Sequence, residues 1–422
     1  MKKNAKNKRK NQDPSPSRQL TLRLAAVVRR NLYDFVIREG VKALHEMLEQ
    51  DRERLCGPAR CKGMPGDPVR WGRTEGRLVM GGQRVLIGKP RVRQRGQEVN
   101  LPCWEQFADE DPLDERTFEQ LVLGVSTRGY RRSVEPLPEE LGAHGASKSA
   151  ASRRFVGITR RRLEDWQQRD LSKLGIVAIM LDALEIEEHA VLVALGIDEN
   201  SKKHPLGLWL GATENSGVCA ALLDNLIERG LDAQRPYLFV IDGSKALRKA
   251  IRERFGRRAL VQRCQEHKRR NVLSHLPKRL HPSVSKTIRD AYQRGSKAMA
   301  KKRLLQLAAR LEEDHPDASA SLKEGLDETL TLKDMNLPLS LERTLSTTNP
   351  IENLNSTIRR VTRNVKRWRD GKMVKRWVAA SVLEAQRGFR RLRGYKGMPI
   401  LIRALLDYAE QIDRVDGLRE AA

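Results

Sequence analysis

Long apolar runs and cysteines are scarce in this sequence, and both shortages narrow what the chain can be. No apolar stretch approaches the roughly 20 residues that a membrane-spanning helix requires, so no membrane span is expected. The basic first ten residues are not followed by the apolar segment of a secretory signal. Five cysteines spread over 422 residues argue against a disulfide scaffold and for a reducing compartment. A soluble, cytoplasmic protein is therefore expected.

Acidic residues are outnumbered by basic ones. The chain has 54 Asp and Glu against 81 Lys and Arg, which gives a formal net charge of +27. Such an excess says little about the fold, but it favours attraction to a polyanion, and nucleic acid is the usual one. Ribosomal and membrane-surface proteins are also basic, so the charge identifies only a broad class. The length suggests two or three domains.

The N-terminal part of the chain has mainly helical patterns and one hairpin pattern. Residues 1–19 are polar and basic, which is typical of a disordered tail. Apolar residues then recur at three- and four-residue steps as far as Arg54 and predict a helix. Short β-type runs flank Gly81-Gly82, so a β-hairpin is predicted near residues 77–93.

Residues 113–168 have the outline of a helix-turn-helix. A turn at Gly142–Gly145 precedes a helix rich in small residues and Arg, which is also compatible with an ordinary exposed helix. Residues 20–170 are assigned on this basis to an N-terminal DNA-binding region. The residues expected to contact DNA in it are Lys148, Arg153 and Arg154.

From Gly175 the pattern changes to buried strands followed by alternating helices and strands. Three strands come in direct succession, and two further strands are each preceded by a helix. This order predicts an α/β fold with a mixed five-stranded sheet, and it is the strand order of the ribonuclease-H-like fold. The predicted divisions are a first part of the catalytic core (171–279), an all-helical insertion (280–340), the final core helix (341–376) and C-terminal helices (377–422).

Asp182 and Asp242 follow the first and fourth predicted strands, which are neighbours in this strand order. Sites in open α/β sheets form at strand ends, so the two carboxylates are expected to converge. Two close carboxylates repel each other unless a cation lies between them, and Mg²⁺ suits such oxygen ligands. Two ions can activate an attacking oxygen and stabilise a leaving one at phosphorus. A single aspartate at a strand end, however, is often structural, and Asp242-Gly243 is also a common turn.

Glu352 lies at the start of the helix that follows Pro350. With Asn349 as the N-cap, Glu352 would complete a capping box, which is the structural alternative. An apolar stripe leaves Glu352 and Asn355 on a polar face, and cations follow that suit phosphate binding. A solvated basic face is the alternative for the later cations. The residues expected to contact DNA are Asn355, Arg359, Arg360, Arg363, Lys366 and Arg367.

Cys264 and His267 suggest zinc, but tetrahedral zinc usually takes three or four protein ligands and the nearby sequence supplies two. A packed cysteine and a hydrogen-bonded histidine at a strand–helix junction are therefore favoured. Cys56 and Cys61 are widely spaced and have no second pair nearby, so they give little support for zinc.

Long blocks of the sequence, in order, resemble the Mutator-type bacterial insertion-sequence transposases. The blocks are Leu181–Asp198, Phe239–Leu247, Gln262–Asn271 and Thr348–Asn355. The resemblance implies a catalytic core of the DDE type, in which Asp182, Asp242 and Glu352 bind the metal. Cys264 and His267 match a family signature of uncertain purpose. Ala183 stands where many members have Gly.

What the resemblance implies is a metal-dependent DNA transposase. Water would attack a phosphodiester at the element end, and the freed 3′-hydroxyl would attack a second strand. Expected cofactors are two Mg²⁺ ions, with Mn²⁺ as a substitute. Expected partners are terminal inverted repeats, target DNA and a second copy of the chain or more, in the cytoplasm and nucleoid of a bacterium. Two alternatives stay open: a catalytically silent DNA-binding regulator derived from a transposase, and a metal-dependent nuclease that cuts without joining.

Overall fold

The computed structural model describes residues 16–60, 64–108, 112–211, 213 and 215–420. Most of the tail predicted at residues 1–19, together with Cys61, lies outside these residues. The chain divides into two compact units. One contains the described residues up to Leu121 together with Val125–Phe155, and the other contains Val122–Gly124 and the chain from Val156.

The first unit contains a three-stranded antiparallel sheet beside a long helix. Its elements are α1 (Pro16–Cys56), β1 (Val69–Met80), β2 (Gln83–Gln94) and β3 (Gln97–Val99), in the sheet order β1-β2-β3. Gly81 and Gly82 join β1 to β2 with φ of 55° and 78°, the positive values that a tight hairpin turn requires. The predicted hairpin is therefore present, and it is longer than expected. Leu48 of α1 packs against Val85 and Ile87 of β2 in a buried core.

Three more helices follow: α2 (Pro102–Ala108), α3 (Pro112–Val122) and α4 (Lys148–Gln168). Residues 123–147 separate α3 from α4 and contain two short 3-10 turns, Tyr130–Ser133 and Glu139–Leu141. A helix-turn-helix joins its two helices by a turn of three or four residues. The helix expected before the Gly142–Gly145 turn is thus a single 3-10 turn, because Pro136 and Pro138 disfavour helix in the residues before them. DNA contact by α4 stays a prediction.

A mixed five-stranded sheet forms the centre of the second unit, as predicted. Its strands are β4 (Ile176–Ile186), β5 (His189–Asp198), β6 (Lys203–Gly211), β7 (Leu238–Ile241) and β8 (Leu260–Arg263), in the order β6-β5-β4-β7-β8. β4, β5 and β6 pair antiparallel, whereas β7 pairs in parallel with β4 and with β8. β4 is longer than its apolar run, because its hairpin with β5 continues to the pair Ile186–His189.

Helices cover both faces of this sheet, and further helices form the stretch inserted between the sheet and α12. They are α5 (Ser216–Glu228), α6 (Lys245–Phe255), α7 (Gln265–Ser274), α8 (His281–Gln293), α9 (Lys297–Leu311), α10 (Pro316–Lys323), α11 (Leu339–Leu345), α12 (Asn349–Thr362), α13 (Gly371–Arg387) and α14 (Met398–Glu420). Ile179 of β4 faces the core that α5 and α6 form, and Met180 faces the core of α12 and α13. This alternation buries both faces, as in sheets that helices cover on two sides.

The stretch between the sheet and α12 is helical and has its own core. Residues 281–345 are all described, and they contain helices and turns but no strand. Ile288, Leu304 and Leu322 pack together with Val272 of α7 in a buried cluster. Over the part of the chain that the structure describes, no helix combines the length and the apolar character needed to cross a membrane.

Candidate functional site

Asp182 in β4 and Asp242, the residue directly after β7, occupy matching positions beside each other. β4 and β7 pair in register as far as Met180 and Val240, and each aspartate lies two residues further along. Adjacent strands are about 4.8 Å apart, so the sheet brings two carboxylates together that are distant in the chain. Asp182 lies inside β4 rather than at its end, because the pairing with β5 continues. It nevertheless lies beyond the segment that pairs with β7.

Glu352 reaches the same region from the first turn of α12. The Thr348 hydroxyl donates to Glu352 Oε1 at 2.8 Å, and His267 Nε2 lies 3.8 Å from that oxygen. The N-cap of α12 is Thr348 rather than Asn349, and its side chain makes no hydrogen bond to the helix backbone. The capping box considered as an alternative for Glu352 therefore does not form, since the carboxylate is held by Thr348 instead.

Asn355 links α12 to β4. Its side chain is buried, and its Nδ2 donates to Asp182 Oδ2 at 2.8 Å. Asn355 was expected to contact DNA, but in the structure it is 1% exposed and its side chain contacts Asp182 instead. The side chain orients the Asp182 carboxylate. Its Oδ1 is buried and has no hydrogen-bond partner among the described residues.

The acids of this site interact electrostatically. Burial raises the pKa of Asp182 to about 6, and the charges of Asp242 and Glu352 act in the same direction. His267 and the hydrogen bond from Asn355 oppose this shift. Burial and like charge both disfavour an ionised carboxylate, so a cation bound among these acids would oppose both effects.

Cys264 and His267 join this centre from the junction between β8 and α7. Cys264 Sγ is buried and accepts from the backbone N–H groups of Thr348 at 3.4 Å and His267 at 3.5 Å. Burial raises the pKa of Cys264, but hydrogen bonds from His267 and Thr348 outweigh it, so the pKa is lowered. Hydrogen bonding to Cys264 raises the pKa of His267 to about 9, against the effect of burial. Potential ligand atoms of Cys264, His267 and Glu352 lie within 4.8 Å of one another.

Thr348 also lies at this centre, and the sequence analysis missed it. Its hydroxyl lies 2.8 Å from Glu352 Oε1, 3.3 Å from Cys264 Sγ and 3.3 Å from His267 Nδ1. A hydroxyl residue four positions before Glu352 stands about one helical turn from it, and this spacing is the signal that would have identified it.

The cations predicted to contact DNA differ in their surroundings. Lys148 and Arg153 are exposed, whereas Arg154 lies 3.2 Å from Asp114 and its side chain is only 9% exposed. Arg154 therefore forms a structural ion pair. The predicted contacts at the end of α12 and beyond are all exposed: Arg359, Arg360, Arg363, Lys366 and Arg367.

The chain resembles known transposases over most of its length. The family model "Transposase, Mutator family" matches residues 18–391. The transposase for insertion sequence element ISRM5 of Rhizobium meliloti (strain 1021) is 27% identical over 380 residues, which cover 86% of this chain and 90% of the relative. The transposase for IS256 in transposon Tn4001 of Staphylococcus aureus is 29% identical over 64% of this chain and 69% of the relative. The transposase for IS6120 of Mycolicibacterium smegmatis is 31% identical over 58% of this chain and 75% of the relative. The chain belongs to the Mutator family of transposases.

Proposed function

We propose that this transposase cuts and joins DNA with a DDE-type metal site formed by Asp182, Asp242 and Glu352. The observation that carries the proposal is their convergence, from β4, from the residue directly after β7 and from the first turn of α12. The charges of Asp242 and Glu352 both act on Asp182, which supports one shared site. The strand order β6-β5-β4-β7-β8 supports a ribonuclease-H-like core.

The side chains of the site fit hard divalent cations. Carboxylate oxygens are the ligands that Mg²⁺ prefers, and we propose two Mg²⁺ ions, with Mn²⁺ as a substitute. Asp182, Asp242 and Glu352 would hold them, and the partnerless Asn355 Oδ1 offers a further oxygen beside them. Such ions, when bound, would stabilise charge on the attacking and leaving oxygens at phosphorus.

The reaction proposed is two successive displacements at phosphorus. In the first, a water oxygen bonds to phosphorus at the element end, and the 3′-oxygen leaves as a hydroxyl. In the second, that 3′-hydroxyl oxygen bonds to a phosphorus of the target strand, whose own 3′-oxygen leaves. The protein holds Asp182 through Asn355 and Glu352 through Thr348. Carboxylates fixed before the substrate arrives need no reorganisation during the reaction.

DNA binding is proposed for two basic surfaces. One is the exposed end of α12 with the residues that follow it, from Arg359 to Arg367. The other surrounds a cavity of about 590 Å³ in the first unit, which is lined by Arg77, Arg84 and Arg153, while Arg154 in the same lining is paired with Asp114. Cations like these neutralise phosphates and position the duplex, without specifying its sequence. Two element ends must be brought together, so a homodimer or a larger assembly on DNA is proposed.

The test is a cleavage and joining assay on DNA that carries the element ends, with Mg²⁺ or Mn²⁺. We expect Asp242→Asn and Glu352→Gln each to lower both rates by about 10³-fold or more, the loss typical of removing a central catalytic group. Glu313→Gln, which changes an exposed acid in the insertion, serves as the matched control and should retain activity. Undiminished activity of either site variant would rule out the assignment.

The same assay separates the two competing functions. A nuclease without strand transfer would release cut ends and no joined product. A silent regulator would bind the ends but leave them intact in every variant. The presence of all three acids in one centre favours the active transposase over the regulator.

A further inference from the structure

We infer that Cys264, His267 and Thr348 form a buried support that fixes the Glu352 carboxylate for cation binding. They are positioning residues, since Glu352 is the group that touches the cation. The inference rests on the proposed function, in which Glu352 is a metal ligand. It gives a role to Cys264 and His267, for which the proposed function of the three acids alone has none.

Thr348 is the member of this support that contacts Glu352 most closely. A hydroxyl carries one proton and accepts others, so it donates to one partner at a time. The shortest of its contacts is the one to Glu352 Oε1, at 2.8 Å. His267 Nδ1, at 3.3 Å, is then placed to donate to the hydroxyl, while His267 Nε2 lies 3.8 Å from the same carboxylate oxygen. Two neighbouring groups thus restrict one carboxylate.

Cys264 connects this arrangement to the end of β7, which Asp242 follows. Its backbone N–H donates to Ile241 O at 2.7 Å, directly before Asp242. Its Sγ accepts from the N–H of Thr348, at the start of α12, and from the N–H of His267 in α7. A second hydrogen bond, from the Gln265 N–H to Ser346 O at 2.9 Å, also joins the start of α7 to the residues just before α12. The β8–α7 junction therefore connects the second acid to the third.

A plain helix cap does not account for all of these contacts. Cys264 is the N-cap of α7, where Ser, Thr, Asp and Asn are the preferred residues. Capping requires only the bond from the His267 N–H. The larger sulfur also reaches Thr348 Oγ1 at 3.3 Å, which belongs to a different helix. Through this second contact, Cys264 packs against the hydroxyl that holds the Glu352 carboxylate.

The direct test is Mn²⁺ binding to the full chain, measured by the electron paramagnetic resonance of free Mn²⁺. Thr348→Val keeps the side-chain shape but removes the hydroxyl, and we expect it to weaken Mn²⁺ affinity by about 10–100-fold, as for other groups that orient metal ligands. Thr348→Ser restores the hydroxyl and should bind within about threefold of wild type. Unfolding in EDTA is measured for each variant. A lowered unfolding temperature with unchanged Mn²⁺ affinity would reduce Thr348 to a structural role and overturn the inference.

Two further variants keep the inference testable if Thr348→Val fails to fold. His267→Gln changes a side chain that is 27% exposed, and it should weaken Mn²⁺ binding in the same way. Cys264→Ser keeps a good N-cap but shortens the reach to Thr348, so it should also weaken binding. Cys219→Ser is the matched control, because Cys219 is equally buried but belongs to the core on the α5 and α6 face. It should leave Mn²⁺ affinity unchanged.

Failure of the inference differs from failure of the proposed function. If wild type binds Mn²⁺, Asp242→Asn does not, and Thr348→Val and His267→Gln bind like wild type, the support is wrong and the metal site stands. If wild type itself binds no Mn²⁺, the metal site and the support both fail. One equivalent of zinc in purified wild type that is lost in Cys264→Ser would overturn the support and show instead that these side chains form a zinc site.

Discussion

The ionised form of Asp182 destabilises the folded protein. Burial and the charge of Asp242 raise its pKa to about 6, above its ordinary value of 3.8. The folded protein therefore binds this proton more tightly than the unfolded chain does. As the pH rises from about 4 to about 6, the unfolded chain loses this proton before the folded protein does, so the free energy of unfolding falls. Above about pH 6 both states are ionised, and the free energy of unfolding falls no further on account of Asp182. At 1.36 kcal/mol for each pKa unit, the penalty is about 1–3 kcal/mol at neutral pH.

Asp182→Asn should remove this penalty. In EDTA at pH 7.5, we expect the variant to raise the free energy of unfolding by about 1–3 kcal/mol, while DNA cleavage is lost. At pH 5 the variant should keep about half of this increase in the free energy of unfolding over wild type. At that pH the Asp182 carboxyl of wild type is mostly protonated in the folded state but mostly ionised in the unfolded state. Urea denaturation at both pH values measures this difference. A gain that did not depend on pH, or a loss of stability, would contradict the electrostatic explanation.

At the scale of elements, the turn between β7 and α6 leaves no space for a side chain. Gly243 has a φ of +110°, and a Cβ there would lie 2.1 Å from Arg263 Nε. Arg263 is buried, and its Nη1 donates to Glu324 O at 3.1 Å, so it cannot move away freely. The Asp242-Gly243 pair is thus more than a common turn, since the glycine allows the close approach that holds Asp242 at the site.

Gly243→Ala and Gly256→Ala form a matched pair. Both glycines have positive φ, but a Cβ at Gly256, with φ of +61°, meets nothing within 4 Å. Gly256→Ala should therefore cost only backbone strain, about 1–3 kcal/mol. Gly243→Ala adds the clash with Arg263, for a further loss of about 1–3 kcal/mol, and it should also lower cleavage by displacing Asp242. Urea denaturation compares the two, and equal costs would show that the contact is unimportant.

Local patterns predicted the strands well, since a buried strand such as β7 (Leu238–Ile241) is a continuous apolar run. What the sequence did not predict depends on distant partners. The extension of β4 beyond Leu181 depends on its pairing with β5, because the residues there are no longer uniformly apolar. The roles of Asn355 and Thr348 depend on which face of α12 meets β4 and α7. A pattern of spacings identifies the polar face, but it does not identify what that face contacts.

At the scale of the whole molecule, α4 belongs to two units. The sequence placed the domain boundary near residue 170, where the helical pattern ends. In the structure the boundary falls inside α4, after Phe155. Trp166 is buried in the core of the five-stranded sheet, and its Nε1 donates to Pro205 O at 3.0 Å. The second half of α4 is therefore part of the unit that carries the three acids.

Two fragments test this division. Residues 147–422 keep all of α4 and should unfold in one cooperative transition. Residues 171–422 lose Trp166, whose removal alone typically costs about 3–5 kcal/mol. They also leave buried Arg229 without the carbonyl oxygens of Trp166 and Arg169, to which it donates at 3.0 and 3.1 Å. Unmet charged donors cost about 1–3 kcal/mol or more, so the combined loss approaches the whole stability of a typical domain, about 5–15 kcal/mol.

We therefore expect the shorter fragment to show no cooperative unfolding by circular dichroism, and rapid amide exchange throughout β6, which supplies Pro205. A shorter fragment that unfolds cooperatively near the temperature of the longer one would place the boundary after α4, where the helical pattern of the sequence ends. Mn²⁺ binding by the longer fragment then tests where the proposed metal site resides. Because Asp182, Asp242 and Glu352 all lie in the second unit, we expect an affinity equal to that of the full chain, which would mean that residues 147–422 contain every group the proposed site needs.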